Sequence, residues 1–198
     1  MCEELKSFVI ICFVQTLFFR DAKYRDTLKY VVFIKNEGED YMIKVLFICH
    51  GNICRSTMAQ CVFTHLVKQQ NLETYFEIDS AATSHEEIGN PPHHGTVNKL
   101  RQERIPLIPH RARQMTQADY EYYDYLIGMD TWNIRNMIRI AGGSDAHNKI
   151  YKLLTFTGSE RDVADPWYTG DFDATYRDVT EGCAALLEKL KNEIDEMK

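Results

Sequence analysis

Apolar residues after Met42 fall into two alternating patterns, short continuous runs and longer stretches with helical spacing. The runs predict strands at residues 43–48, 76–80, 125–129 and 150–154. The stretches repeat every three or four residues and predict helices near residues 57–69, 93–104, 130–140 and 172–194. This alternation predicts an α/β fold, with a parallel sheet covered by helices on both faces. Ligands of such sheets bind at the carboxyl ends of the strands, where Cys49 falls.

The first 41 residues form an extension that does not follow this pattern. Its apolar run, residues 8–19, is too short to span a bilayer comfortably, and no small-residue cleavage site follows it. One interpretation is an interfacial anchor or an added helix. We favour another, in which translation starts at Met42, because residues 37–40 require purine-rich codons like those of a ribosome-binding site. We therefore expect a disordered or non-native extension at 1–41, a domain at 42–198, and no membrane association.

Composition narrows the class of protein. A length of 198 residues suits a single core, and a formal net charge of −6 argues against broad electrostatic binding to nucleic acid. The 6 cysteines have irregular spacing without a C-x-x-C pair, so we expect neither a zinc site nor a disulfide framework. These features predict a cytoplasmic protein with reduced thiols and no metal. We also expect a monomer.

The octet C-H-G-N-I-C-R-S at residues 49–56 combines a strand end, a tight loop and a helix start. Successive backbone N–H groups and a helix N-terminus bind phosphate oxygens without any side chain. Gly51 and Asn52 are residue types that tolerate the positive φ angles of such a loop. Arg55 adds a planar, two-pronged donor for phosphoryl oxygens. The octet therefore predicts a phosphate-binding loop.

Cys49 lies where this positive field favours a thiolate, which is the nucleophilic form of cysteine. Ser56 is placed to donate a hydrogen bond to the sulfur. The alternative is a buried cysteine at a strand end beside an arginine that caps another element. The combination of strand, glycine, asparagine and helix favours the phosphate loop.

A second motif, Asp165-Pro166-Trp167-Tyr168, offers the general acid that a leaving phenolate needs. Pro166 restricts Asp165 to extended geometry, and a carboxyl group facing a bound dianion keeps its proton more readily. Trp167 and Tyr168 are suited to wall a cleft and stack on an aromatic ring. Taken alone, this motif is better explained by an Asp-Pro turn whose aromatic residues cover the core, and only its combination with the octet favours a general acid.

Together these motifs resemble those of the low-molecular-weight protein tyrosine phosphatases. The resemblance covers nearly all of residues 42–198, and residues 78–84 and 110–116 also match the family. It implies a flavodoxin-like three-layer sandwich with a four-stranded parallel sheet. It also implies a two-step reaction through a phosphocysteine, with no metal or organic cofactor, on a phosphotyrosine-bearing protein.

By matching position, the resemblance makes Cys49 the nucleophile, Arg55 the phosphate ligand, and Asp165 the general acid and then base. Residues that support the loop shape would include Ser80 and His110, together with Asn52 and Ser56. The substrate-binding set would be His50, Gly51, Asn52, Ile53, Cys54, Ser56, Trp167 and Tyr168.

Cys54 matches the family's second loop cysteine, which suggests a reversible disulfide with Cys49 that protects the thiolate. The alternative is a small side chain that fills space behind the loop. Glu86 aligns about where an aromatic wall residue stands, and an acidic rim would favour substrates with basic neighbours. The alternative for Glu86 is an ordinary solvated loop.

Related activities on the same fold are less well matched. Arsenate reduction needs two later cysteines, and residues 117–130 contain none. Bacterial protein-arginine phosphatases carry a threonine at the position of Ile53, so Ile53 favours phosphotyrosine. A binding module without turnover does not need Cys49, Arg55 and Asp165 together.

Overall fold

The computed structural model describes residues 42–196, so the predictions for the extension at 1–41 lie outside the described residues. Its sheet contains 4 strands: β1 (Ile43–Cys49), β2 (Phe76–Ala82), β3 (Tyr125–Gly128) and β4 (Ile150–Lys152). All pair in parallel, in the order β2-β1-β3-β4. The predicted parallel sheet is confirmed. Because the chain returns from β2 to the far side of β1, the crevice for a ligand opens between the carboxyl ends of β1 and β3.

Helices occupy both faces of the sheet. They are α1 (Arg55–Gln69), α2 (His94–Gln102), α3 (Gln117–Tyr122), α4 (Thr131–Ile140), α5 (Pro166–Thr169) and α6 (Phe172–Glu196). Short 3-10 helices span Glu73–Tyr75 and Leu153–Thr157. Among residues 42–196, no helix combines the length and apolar character needed to cross a bilayer.

Strand β1 supplies both halves of the core, because its successive side chains point to opposite faces. On one face, Phe47 packs edge-on against Phe63 of α1, with ring centroids 5.5 Å apart. The same core includes Leu187 of α6. On the other face, Leu46 shares a buried cluster with Met137 of α4. The molecule therefore has the expected three layers of helix, sheet and helix.

The fourth strand is shorter than predicted. It ends at Lys152, and residues 153–157 turn into a 3-10 helix instead of extending the strand. Hydroxyl groups favour this turn, because Thr155 and Thr157 each donate to a backbone carbonyl three residues earlier, at 2.7 Å. The buried side chain of Leu153 then packs onto Gly182 of α6.

Short elements also depart from the sequence prediction. Helix α1 begins at Arg55, two residues before the predicted start, and α3 and α5 were not predicted. The signal for α3 was present in the sequence, since Thr116 and Asp119 form a capping box at its start. The α5 helix has only 4 residues, which is too short for a periodic pattern.

Candidate active site

Cys49 is the last residue of β1, and its buried sulfur faces the start of α1. Its Sγ lies 3.1 Å from the Ser56 hydroxyl and accepts a hydrogen bond from the Asn52 backbone N–H at 3.2 Å. Cys54, the N-cap of α1, makes no side-chain cap hydrogen bond. The first N–H groups of α1 therefore keep their capacity for an anion beside the sulfur.

Asn52 holds the loop in its unusual shape. Its φ of 58° lies in the left-handed region, and its side chain is fully buried. The amide nitrogen donates to the hydroxyls of Ser56 and Ser80, both at 2.9 Å. The amide oxygen accepts from His110 Nε2 at 3.0 Å and from the backbone N–H of Arg113 at 3.2 Å. The side-chain amide of Asn52 is thus fully hydrogen-bonded. His110 Nε2 also lies near the Asn52 backbone carbonyl, and because both of these oxygens accept, His110 must carry a proton on Nε2.

Gly51 differs from the sequence expectation, since it does not adopt a positive φ. It instead allows a close approach, because a Cβ at this position would lie 3.1 Å from Cγ of Glu87. Only Asn52 in the loop needs the left-handed conformation, which costs a non-glycine residue roughly 1–2 kcal/mol. The four hydrogen bonds of its side chain offset that cost.

A further layer of polar groups supports Asn52, and the sequence gave a role to only one of its members, Ser80. Ser80 donates to Gln60 of α1 at 2.7 Å, and the Gln60 amide approaches Asp79 at 3.3 Å. Arg113 bonds Asp79 through two nitrogens and reaches Asp119 through a third. Burial opposes the Arg113 charge, but both carboxylates outweigh it and raise the pKa of the guanidinium. Gln60 could have indicated this network from the sequence, because it is a polar residue on the buried, apolar face of α1.

Arg55 is held between two carboxylates. It is 3% exposed, with Nη1 2.7 Å from Asp130 Oδ2 and Nη2 2.6 Å from Asp165 Oδ2. Burial disfavours the charged guanidinium, but the negative groups of Cys49, Asp165 and Asp130 outweigh burial and raise its pKa. Arg55 therefore stays charged at the bottom of the cleft.

The two aspartates have the same arrangement. Asp130 N-caps α4 through Oδ1, which accepts from the Asn133 N–H at 2.6 Å, and gives Oδ2 to Arg55. Asp165 N-caps α5 through Oδ1, which accepts from the Trp167 N–H at 3.0 Å, and also gives Oδ2 to Arg55. Asp165 has the extended backbone that Pro166 was expected to impose. Sequence reasoning missed Asp130, although its position just after the central strand β3 was a usable signal.

Trp167 forms one wall of a groove of ≈540 Å³ beside the loop. It is 61% exposed, and its ring meets His93 edge-on, with centroids 6.2 Å apart. His93 stacks on Phe172 at 5.3 Å and donates its backbone N–H to the Ile53 carbonyl at 2.8 Å. One wall of the groove, at His93, is therefore hydrogen-bonded to the phosphate loop, and the other wall is the segment that follows Asp165. Tyr168, 85% exposed, lies at the surface.

Ile53 and Cys54 face inward more than the sequence suggested. Ile53 is 8% exposed and clusters with Ala112, Cys54 and Phe172, so little of its side chain is available to a ligand. Burial, followed by the charges of Cys49 and Asp165, raises the pKa of the Cys54 thiol to about 12. In residues 42–196 every cysteine is an unbonded, buried thiol.

His50 and Glu86 lie at the exposed mouth of the site, where His50 Nε2 is 3.2 Å from Glu86 Oε2. Glu87, beside Gly51, accepts a hydrogen bond from Asn90. This rim is acidic, as the sequence suggested. In the part of the chain that the structure describes, no group of three or more His, Cys, Asp or Glu residues is placed to hold a metal ion.

The chain matches known proteins over the whole of this domain. Residues 44–196 match the family model for low molecular weight phosphotyrosine protein phosphatase. A low molecular weight protein-tyrosine-phosphatase of Bacillus subtilis, YfkJ, is 40% identical over 154 residues, which cover 77% of this chain and 98% of YfkJ. The human low molecular weight phosphotyrosine protein phosphatase is 38% identical, over 73% of this chain and 94% of the human protein.

Solved structures show the same fold. The crystal structure of YfkJ superposes with a TM-score of 0.75 and covers 79% of this chain and 99% of its own. A Drosophila arginine phosphatase is 28% identical, with a TM-score of 0.68, over 75% of this chain and 98% of its own. This chain therefore belongs to the low molecular weight phosphotyrosine protein phosphatase family.

Proposed function

We propose that the protein hydrolyses phosphotyrosine in substrate proteins through a phosphocysteine on Cys49. The observation that carries this proposal is the position of the Cys49 sulfur. It accepts a hydrogen bond from the Asn52 backbone N–H and lies close to the charged Arg55, which is buried between two aspartates. A nucleophile surrounded by donors in this way suits attack on a bound phosphate.

In the first step, the phosphoryl group binds the loop and replaces the Asp165 carboxylate on Arg55. The Cys49 thiolate attacks phosphorus, so that the S–P bond forms as the P–O bond to the tyrosine ring breaks. Asp165, released from Arg55, takes up a proton from solvent and passes it to the leaving phenolate oxygen. Arg55 and the N–H groups of the loop stabilise the charge of the transition state.

In the second step, Asp165 acts as a carboxylate and takes a proton from water. The water oxygen attacks phosphorus, the S–P bond breaks, and orthophosphate leaves. Ser56, 3.1 Å from the sulfur, donates a hydrogen bond that stabilises the departing thiolate. Asn52 holds Ser56 in place through its amide nitrogen.

The choice of phosphotyrosine rests on the walls of the cleft. Cys49 is buried, so the phosphate must stand on a group long enough to reach it, and exposed Trp167 offers an aromatic surface at the mouth. The remaining members of the proposed binding set are Tyr168 at the surface and the loop residues His50, Gly51, Ile53 and Cys54, which would contribute through backbone N–H groups rather than side chains. The substrate is a phosphoprotein, and we infer a cytoplasmic, monomeric enzyme that needs no cofactor.

The reactive sulfur also has a thiol neighbour in the loop. We propose that, once a peroxide has oxidised Cys49 to a sulfenic acid, the Cys54 sulfur attacks it, water leaves, and the resulting disulfide protects Cys49 from over-oxidation. The pKa of about 12 keeps Cys54 a neutral thiol near neutral pH, so it does not compete as a second nucleophile in the reduced enzyme.

A side-by-side assay tests the substrate class. Peptides carrying phosphotyrosine, phosphoserine or phosphoarginine are compared, with arsenate plus a thiol reductant as a further arm and Cys49→Ser as the control. We expect release of phosphate from the phosphotyrosine peptide far above release from the other two peptides, no reduction of arsenate, and no phosphate release by Cys49→Ser. Preferential hydrolysis of phosphoarginine, or equal rates with Cys49→Ser, would overturn the proposal.

A further inference from the structure

Both tryptophans of the chain occupy equivalent places around Arg55. Asp130 and Asp165 each cap a helix and each bind Arg55, and a tryptophan follows each aspartate by two residues. Trp167 belongs to the groove described above. Trp132 lies on the first turn of α4 and is 69% exposed, which is unusual for so large an apolar side chain.

Trp132 begins a basic stripe along α4. Arg135 places its guanidinium 5.1 Å from the centre of the Trp132 ring, and Arg139 follows one turn later. Positions 132, 135 and 139 are spaced three and four apart, so they share one face of the helix. All are exposed, and we call this surface the α4 rim.

The α4 rim carries positive charge without local compensation. Helix α4 contains no acidic residue, and Arg139 bonds only to the neutral side chain of Asn136. Within residues 42–196, no carboxylate forms an ion pair with Arg135 or Arg139. Asp162, which accepts from the Thr131 hydroxyl, is itself paired with Lys152 at 3.0 Å. The rim therefore differs in sign from the protein as a whole, whose net charge is −6.

The strand order places the α4 rim opposite the acidic rim. Strand β2 lies on one side of β1, and the segment after it contacts the loop through the Ser84 N–H, which donates to the His50 carbonyl at 3.0 Å. This segment leads to Glu86. Strand β3 lies on the other side of β1 and leads to Asp130 and α4. The mouth of the site is therefore acidic on one side and basic with an exposed aromatic ring on the other.

We propose that the α4 rim binds an acidic side chain of the substrate protein close to the phosphotyrosine, so that substrate recognition is charge-directed. This inference rests on the proposed function. Trp and Arg are the residue types that carry most binding energy at protein interfaces, and an arginine already stacked on an aromatic ring loses less freedom on binding.

The length of the rim sets which substrate positions are involved. Trp132 and Arg139 are seven residues apart, which is about 10 Å along a helix. An extended peptide covers that distance in about three residues. The acidic side chains should therefore stand within a few residues of the phosphotyrosine, on one side of it only.

The test uses phosphotyrosine peptides with a short run of Asp before or after the phosphotyrosine, each paired with an Asn version. For one of the two directions, we expect the wild-type kcat/KM to be higher for the Asp peptide than for its Asn version. Arg135→Gln should lower that ratio by about two- to fivefold, the effect of one exposed ion pair. Trp132→Ala should lower kcat/KM for both peptides of the pair. Added salt should reduce the wild-type ratio.

Lys68→Gln is the matched control, because Lys68 is exposed at the far end of α1, about 20 Å from Arg55 along the helix. This variant should keep the wild-type ratio. A wild-type ratio of one in both directions, or a ratio that Arg135→Gln leaves unchanged, would overturn the inference. If p-nitrophenyl phosphate and every peptide remain intact, the proposed function fails instead.

Discussion

At the residue scale, Arg55 has two carboxylate partners, Asp130 and Asp165, which differ in how firmly they are held. Its guanidinium is nearly inaccessible, and a buried charge of this kind is stable only when it is paired. Asp130 is the firmly held partner, because its Oδ1 accepts a hydrogen bond from the Asn133 N–H in the first turn of α4. Asp165 is a more exposed partner, on a helix of 4 residues, and is the one that we expect phosphate to replace.

Asp165→Ala should therefore have two opposite effects. The rate on substrates with poor leaving groups should fall by roughly 10²–10⁴-fold, because the proton for the phenolate is lost. Inhibition by orthophosphate should become stronger, because no carboxylate competes for Arg55. Steady-state kinetics with phenyl phosphate and p-nitrophenyl phosphate measure both effects. An equal loss on the two substrates, or weaker phosphate inhibition, would contradict the assigned role.

The sequence predicted which residues meet at this site, but only part of the network that supports them. Cys49, Arg55 and Asp165 could be chosen because their motifs are local and each needs only a strand end or a turn. Asp130 and Gln60 were missed because their roles depend on which strands become neighbours. That information lies in the sheet order, and no spacing along the chain encodes it.

Asn52→Ala should destabilise the protein by about 2–4 kcal/mol. Asparagine tolerates the left-handed conformation better than alanine does, and the change also leaves buried partners such as Ser80 unsatisfied, which costs roughly 1–3 kcal/mol. Urea unfolding measures the change. Activity should fall as well, because the loop and Ser56 lose their support.

Asn71→Ala is the control for this change. Asn71 has nearly the same φ, 56°, but is exposed and takes no part in the network around the loop. Its loss should therefore be limited to the backbone cost. Equal destabilisation by the two variants would show that the side-chain network of Asn52 contributes nothing.

At the element scale, close packing between α6 and residues 153–157 explains why the fourth strand ends early. A Cβ on Gly182 would lie 2.5 Å from Cγ of Leu153, so glycine permits the contact. The apolar run at 150–154 looked like a strand because periodicity cannot tell a short strand from a buried turn. The outcome was decided by hydroxyl bonds and by packing against a helix about thirty residues later.

Gly182→Ala should lower the free energy of unfolding by about 1–3 kcal/mol, the usual cost of overpacking a core. Helix propensity alone would favour alanine by roughly 1 kcal/mol, so a loss of stability would show that the contact dominates. Ala184→Gly, exposed on the same helix, measures propensity without the contact. Stabilisation by Gly182→Ala would contradict the packing described here.

At the scale of the whole molecule, the phosphate loop is hydrogen-bonded to a segment of the chain that is distant in sequence. The loop follows β1, while His110 and Arg113 come from the segment before β3 and contact it through Asn52. Stability and catalysis are coupled at this point, because the same hydrogen bonds that shape the loop also join distant parts of the chain.

His110 should make stability depend on pH. Burial lowers its pKa below 6.5, against the effects of Asn52 and Asp79. The unfolded state therefore binds a proton at higher pH than the folded state does. The contribution of His110 is complete above about pH 6.5 and is lost as pH falls through the folded pKa.

Urea unfolding of the wild type and of His110→Gln between pH 8 and pH 5 measures this contribution. The wild type should lose stability more steeply below about pH 6.5 than the variant does. His93, whose pKa burial also lowers, is present in both proteins and does not affect their difference. Parallel pH profiles would show that the pKa of His110 is the same in the folded and unfolded states, and would contradict its lowering by burial.

The most direct test of the account is to identify the atom that carries phosphate during turnover. Acid quenching of the enzyme with a phosphotyrosine peptide, followed by mass spectrometry of its fragments, should find one phosphoryl group on Cys49. With p-nitrophenyl phosphate, whose leaving group needs little help from an acid, Asp165→Asn should accumulate more of it, because hydrolysis of the intermediate loses its base. Phosphate on another residue, or turnover by Cys49→Ser, would contradict the central claim.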